Sequence, residues 1–156
     1  MAMNNRQYLT IKQTQRLQNE RIDLSGASAL WLKLDGEKPQ AVSKEFAEFF
    51  FLKESIEDYT LAPALSLSDI METVLPAGIR TWNNLLYLLT LQEAMTKDGR
   101  RFRAAYSLNT ISAYEEGVPM HLHTTGDHDN ALDAAYELIM SLIAENKDLF
   151  NLIAHE

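Results

Sequence analysis

The sequence predicts an α+β fold: one domain spanning 1–156, with a mostly antiparallel sheet of four to five strands and helices packed on one face. Three observations carry this. The runs Leu85 to Met95 and Arg101 to Leu108 flank Thr96-Lys97-Asp98-Gly99, the pattern of a β-hairpin closed by a tight turn. Asn130 to Asn146 places Leu132, Ala135, Tyr136, Ile139, Leu142 and Ile143 at helical spacing. The length of 156 residues suits a single layered domain and most two-domain enzymes are longer.

Taken in chain order, Leu9 to Ile22 reads as a polar surface helix. Thr10 and Gln13 stand at the capping-box spacing, and Ile11 and Leu17 give only a thin apolar stripe. Residues 1–8 are expected to form a flexible N-terminus. Ala27 to Leu34 alternates as a strand, with Leu30, Leu32 and Leu34 on one face and Trp31 and Lys33 on the other. Asp35-Gly36 ends it. The segment from Val42 to Ile56 admits two readings. Val42, Phe46, Phe49 or Phe50, and Ile56 make a helical stripe; Phe49-Phe50-Phe51-Leu52 could instead pair back on Ala27–Leu34, which the Asp35-Gly36 turn and the aromatic density favour.

Tyr59 to Ser66 reads as a loop because of Pro63. Ser66-Leu67-Ser68-Asp69 is a capping signature for a short helix from about Ser68 to Val74, stopped before Pro76. In the hairpin, Phe102, Ala104, Tyr106 and Leu108 should face inward and Arg101, Arg103 and Ser107 outward. A short strand is expected over Val118 to Thr124. Asp129 or Asn130 caps the long C-terminal helix. The partly apolar tail from Leu149 to Glu156 is expected to pack back.

Composition sets the boundaries of function. Hydrophobic residues make up 46% and charged residues 23%, as in an ordinary folded domain, and six Phe, six Tyr and two Trp supply core bulk. The chain has no cysteine, so disulfides, thiolate metal sites and a cysteine nucleophile are excluded. Fourteen basic residues against 22 acidic ones leave a net charge of -8, which repels nucleic-acid phosphates. No apolar run is long enough for a membrane helix and Met1 to Arg6 has no signal-peptide pattern. The expectation is a soluble cytoplasmic protein with no membrane contact, and the acidic mean disfavours nucleic acid except at a local basic patch.

Chemistry concentrates in His121-Leu122-His123-Thr124-Thr125-Gly126-Asp127-His128-Asp129. On a continuous strand His121 and His123 would share one side about 7 Å apart. With Asp127 or His128 reaching back, that set could grip Zn or Mn and serve a small metal-dependent hydrolase. The spacing departs from the His-x-His-x-Asp-His motif of metallo-β-lactamases, since three residues separate His123 from Asp127, and it departs from the cupin motif as well. The competing reading is structural: two histidines on the solvent face of an edge strand, then a turn and a helix cap. Lys97, Arg100, Arg101 and Arg103 form a basic cluster that could dock phosphate, an acidic partner or, through Arg100, Arg101 and Arg103, nucleic acid, or could simply keep a hairpin end soluble. The clusters Glu54, Glu57, Asp58 and Glu115, Glu116 match no acid–base motif and read as solvated surface. There is no P-loop, nucleophile elbow or dinucleotide fingerprint.

The segments Ala62-Pro63-Ala64-Leu65-Ser66-Leu67-Ser68-Asp69-Ile70, ending at Leu75-Pro76, and Asn130-Ala131-Leu132-Asp133-Ala134-Ala135, continuing to Ile143-Ala144-Glu145-Asn146, carry a resemblance. The chain is similar over about half its length to small uncharacterised proteins of bacterial genomes, prophages and other mobile elements. That resemblance implies an intracellular accessory protein and brings no catalytic residue with it. The resulting expectation is a protein without enzymatic activity and without a cofactor, acting by protein–protein interaction or self-association. Phe49–Leu52 or the C-terminal tail would supply a homodimer contact.

Overall fold

The structure is a computed structural model that describes residues 7–50, 53–82, 84–108 and 118–153. It is α+β, and its strands are all antiparallel. Where one sheet of four to five strands was expected, seven strands among the described residues form two sheets, of three and four strands. The chain gathers into two compact units: Met1–Val74 with Asn151–Glu156, and Leu75–Phe150.

The first unit opens with α1 (Ile11–Asn19). Its capping box forms as the sequence dictates: the Thr10 hydroxyl accepts from Gln13 N at 3.1 Å and Gln13 Oε1 accepts from Thr10 N at 3.0 Å. Residues 1–6 of the expected flexible N-terminus lie outside the described residues, while Tyr8 already bridges Ser66. The sheet has the order β2-β1-β3, from β1 (Ala29–Leu32), β2 (Gln40–Ser43) and β3 (Thr60–Ala64). Trp31, on β1, donates its Nε1–H to Leu9 O at 3.0 Å, so the indole ties the sheet to the chain entering α1.

The turn at Asp35-Gly36 does fold β1 back, but its partner is Gln40–Ser43, not Phe49–Leu52. Residues beyond Ser43 turn into α2 (Lys44–Phe50) and α3 (Lys53–Tyr59), so the helical stripe is the correct reading there; 51–52 lie outside the described residues. The reason is in the core: Leu32, Ala47 and Ile56 pack together with Leu30, Val42 and Tyr59, a spacing that only helices after Ser43 bring onto β1. β3 corrects the expectation of a loop. Pro63 lacks an N–H, but at the edge of a sheet none is needed there, and the register shift between Trp31 and Leu32 absorbs the irregularity. The tail packs back, with Ile22 bridging Leu152 and Ile153 N donating to Arg21 O at 2.7 Å.

Ser66 caps α4 (Leu67–Asp69), which runs on as a π-helical turn over Ile70–Val74. Asp69 is 9% exposed. Its Oδ2 accepts three hydrogen bonds, from Ser28 N (3.0 Å), Ser28 Oγ (2.9 Å) and Ser66 N (2.9 Å). One carboxylate oxygen thus fastens the chain before β1 to the start of α4. Burial alone would raise the Asp69 carboxyl, but the hydrogen bonds from Ser28 and Ser66 outweigh it and hold it below its ordinary range. Gly26 sits against the same turn: a Cβ there would lie 2.4 Å from Thr73 Oγ1.

The second unit has the sheet order β4-β5-β6-β7, from β4 (Gly78–Arg80), β5 (Leu86–Thr96), β6 (Gly99–Leu108) and β7 (His121–Leu122). The β5–β6 hairpin is the one expected, in unbroken register from Tyr87↔Leu108 to Thr96↔Gly99. Gly99 takes φ +102 at its turn, a conformation glycine adopts without a side-chain penalty. Ala104, Tyr106 and Leu108 are buried as expected, and Tyr106 and Tyr87 donate their hydroxyls to Pro76 O and Pro119 O, each at 2.7 Å. α5 (Ala131–Asn146) is capped by Asn130, whose side chain accepts from Asp133 N at 2.8 Å and donates to Asp133 Oδ2 at 2.9 Å. Leu132, Ala135, Leu138, Ile139 and Leu142 form its buried stripe.

Replacing Asp69 with Ala strands three donors and is expected to lower unfolding stability by about 3 kcal/mol in urea titrations near neutral pH. The folded carboxyl titrates below its unfolded value. Its contribution is therefore complete above pH about 4 and fades as the pH falls through the depressed folded value. The deficit of the variant should shrink correspondingly at pH 3.

Candidate functional site

The sequence cluster at 121–129 is folded as a border of the second sheet. β7 covers only His121–Leu122, and His123 takes φ 53, so the extended strand expected over Val118 to Thr124 ends after two residues. The period-two argument that would put His121 and His123 on one side needs continuous extended backbone, and the left-handed turn at His123 interrupts it. From Thr125 the chain re-joins β6. Thr125 N donates to Ala104 O (2.9 Å), Ala104 N donates to Thr125 Oγ1 (3.0 Å), and Phe102 and His128 exchange backbone hydrogen bonds of 2.8 and 2.9 Å.

Each of the four candidate ligands has its own partner. His121 Nδ1 lies 2.9 Å from Ser107 Oγ on β6. His123 Nδ1 lies 3.3 Å from Glu145 Oε2 of α5. Asp127 accepts from Arg103 at 2.8 Å. His128 Nε2 donates to Glu137 Oε2 at 3.1 Å, and the same oxygen accepts from Gly126 N at 2.8 Å. The side chains are drawn apart, to β6 or to α5, and among the described residues no three His, Asp or Glu groups gather where a metal ion could be held. Sequence reasoning missed Glu137, Glu145 and Ser107, because no spacing rule links them to the histidine segment.

The basic cluster is likewise answered by carboxylates. Arg101 pairs with Asp129 at 2.6 Å and Arg103 with Asp127 at 2.8 Å, cross-strand on the outward face where the alternation of β6 put them. Arg100 pairs with Glu93, and its hydrogen bond holds the Glu93 carboxyl below the ordinary range. Three of the four cations that could have gathered phosphate therefore already carry a counter-charge.

Several large apolar side chains are also exposed among the described residues. On α2, Phe46 is 53% and Phe49 83% exposed, one helical turn apart. Phe46 also lines a pocket of ≈ 210 Å³ together with Leu32, Leu34, Val42, Glu37, Lys38 and Gln40. Trp82, in the other unit, is 97% exposed. Its turn is pinned: Thr81 N donates to Leu85 O (2.9 Å), Leu85 N donates to Thr81 Oγ1 (3.2 Å), and Arg80 donates to Asn84 Oδ1 (2.9 Å).

The chain matches no protein-family model, no curated protein and no solved structure. No described helix is long and apolar enough to cross a membrane.

Because the histidines serve separate partners, replacing His121 and His123 together with Ala is expected to leave calorimetric Zn²⁺ and Mn²⁺ binding unchanged. A stoichiometric site present in the parent protein and lost in the variant would show that the imidazoles converge after all.

Proposed function

We propose that the chain is a non-enzymatic binding protein of the cytoplasm that acts by associating with another protein chain or with a second copy of itself. The observation that carries this is the exposure of large apolar side chains, Trp82 at 97% and Phe49 at 83%, on backbone that is already ordered. Leaving an indole in water costs hydrophobic free energy that burial against a partner would recover. Tryptophan on a pre-formed turn is the kind of anchor that dominates protein interfaces, because little conformational freedom remains to be lost on binding. The polar groups with catalytic potential support the same reading, since His121, His123, Asp127 and His128 are each engaged in tying loops to β6 or α5. An accessory role of the prophage and mobile-element kind follows from the resemblance of the mid-chain and C-terminal segments.

The test is co-purification from native cells with tagged chain. A second polypeptide, the untagged chain included, is expected in near-equal amount. Phe49→Ser or Trp82→Ser should lose it while the circular dichroism and thermal midpoint stay unchanged, since exposed substitutions shift stability by only about 0.5 kcal/mol. Recovery of the same proteins in the same amounts by both variants would contradict the proposal.

A further inference from the structure

The two strands of the β5–β6 hairpin treat their outer edges differently. Residues of an antiparallel strand bond alternately to one neighbour and the other. On β6, the backbone groups pointing away from β5 are met: Phe102 by His128, Ala104 by Thr125, and Leu108 by Met120. On β5, the outward set is the odd-numbered one. Thr81 N donates to Leu85 O, Ile79 pairs with Tyr87, and Leu89 N donates to Ala77 O at 3.0 Å. There β4 ends. Among the described residues nothing bonds to the outward N–H and C=O of Leu91, Glu93 and Met95.

This open stretch, Thr90 to Thr96, is unlike the other strand edges among the described residues. β2, β4 and β7 have four, three and two residues, and β3 carries Pro63 with a register shift beside it. Those are the usual safeguards against edge-to-edge pairing. Thr90-Leu91-Gln92-Glu93-Ala94-Met95-Thr96 contains no Pro, Gly or Lys, and its one charge, Glu93, already holds Arg100. It also carries Met95, 79% exposed.

We propose that this edge is the protein's self-association surface: β5 of one copy pairs antiparallel with β5 of a second, about a two-fold axis at Glu93. The sequence of the strand is its own complement in that register. Leu91 falls opposite the partner's Met95 on one face, so the exposed thioether is covered by an aliphatic side chain. Gln92 falls opposite the partner's Ala94, and Thr90 opposite the partner's Thr96, on the other face, where all four side chains are uncharged. The two Glu93 carboxylates are the one like-charge contact of this register, and each is offset by its own Arg100. Leu91, Glu93 and Met95 each exchange both backbone bonds across the axis, and the two four-stranded sheets become one. Such an interface is isologous and closes at the dimer. The inference rests on the association reading above but uses a different surface, so it stands or falls without Phe49 and Trp82.

The chain has no cysteine, so Glu93→Cys introduces a single thiol. Across a hydrogen-bonded pair the two Cα atoms would lie about 5.5 Å apart, within disulfide reach. Under mild oxidant this variant is expected to form covalent dimer at least roughly tenfold faster than Glu37→Cys, an exposed thiol in the other unit, because the collision is intramolecular in the dimer. By light scattering the parent protein should approach twice the chain mass as concentration rises. Glu93→Pro, which removes an outward N–H and leaves the β6 ladder intact, should stay monomeric. Ala94→Lys, a change with no backbone consequence, should weaken the dimer and guard against misfolding as the explanation. A parent protein monomeric at all concentrations, with Glu93→Cys no faster than Glu37→Cys, overturns the proposal while leaving association with a different protein untouched. A dimer that survives both Glu93→Pro and Ala94→Lys places the contact elsewhere and overturns it equally.

Discussion

A strand amide shielded from water needs a partner on whichever side it points, and this constraint organises the second unit. The β5–β6 ladder fills the inner side of the hairpin from Tyr87↔Leu108 to Thr96↔Gly99. The outer side of β6 is then closed by the segment that sequence inspection singles out as chemical. Met120, Thr125 and His128 supply backbone or hydroxyl groups to Leu108, Ala104 and Phe102 in turn. Seen this way, the density of polar residues at 121–129 follows from edge closure. A short, broken border strand needs a hydroxyl at Thr125, a left-handed turn at His123 and acids at Asp127 and Asp129 to neutralise Arg103 and Arg101. Glu137 then anchors the border to α5 through Gly126 and His128.

The first unit solves a different problem with the same means. Its strands are short, and the joint between the chain before β1 and the start of α4 is made by one carboxylate. Asp69 is an N-terminal capping residue by position, but its near-complete burial comes from the reach to Ser28, 41 residues away in sequence. A buried carboxylate is costly unless it is hydrogen-bonded, and three donors on one oxygen meet that cost. Gly26 permits the approach, because the π-helical turn that Thr73 belongs to leaves no room for a Cβ. In both units the conspicuous polar side chains are consumed by architecture, and among the described residues exposed apolar side chains and the outward edge of β5 beyond β4 are left over.

The sequence made the strongly periodic elements legible. The capping boxes at Thr10/Gln13 and Ser66/Asp69, the 96–99 turn, the outward arginines of β6 and the stripe of α5 all follow from local rules and form where those rules put them. Three features were hidden for physical reasons. β3 was obscured by Pro63, which forbids a central strand but not an edge one. The partner of β1 was displaced from Phe49–Leu52 to Gln40–Ser43, because aromatic density marks burial or exposure without saying which; Phe49 proves exposed. The pairing of His123 with Glu145 and His128 with Glu137 crosses from loop to helix, beyond any fixed spacing. The open edge of β5 was illegible too, since it depends on where β4 stops and not on the composition of β5.

Amide hydrogen exchange along β5 tests the central claim, that this protein's unsatisfied surface exists to be covered by another chain, most directly. Gln92 and Ala94 donate toward β6 and should exchange slowly at every protein concentration. Leu91, Glu93 and Met95 should exchange fast in dilute solution and slow markedly as concentration rises, in step with each other. If those three amides exchange fast at all concentrations while their even-numbered neighbours stay protected, the edge is simply exposed and the account fails.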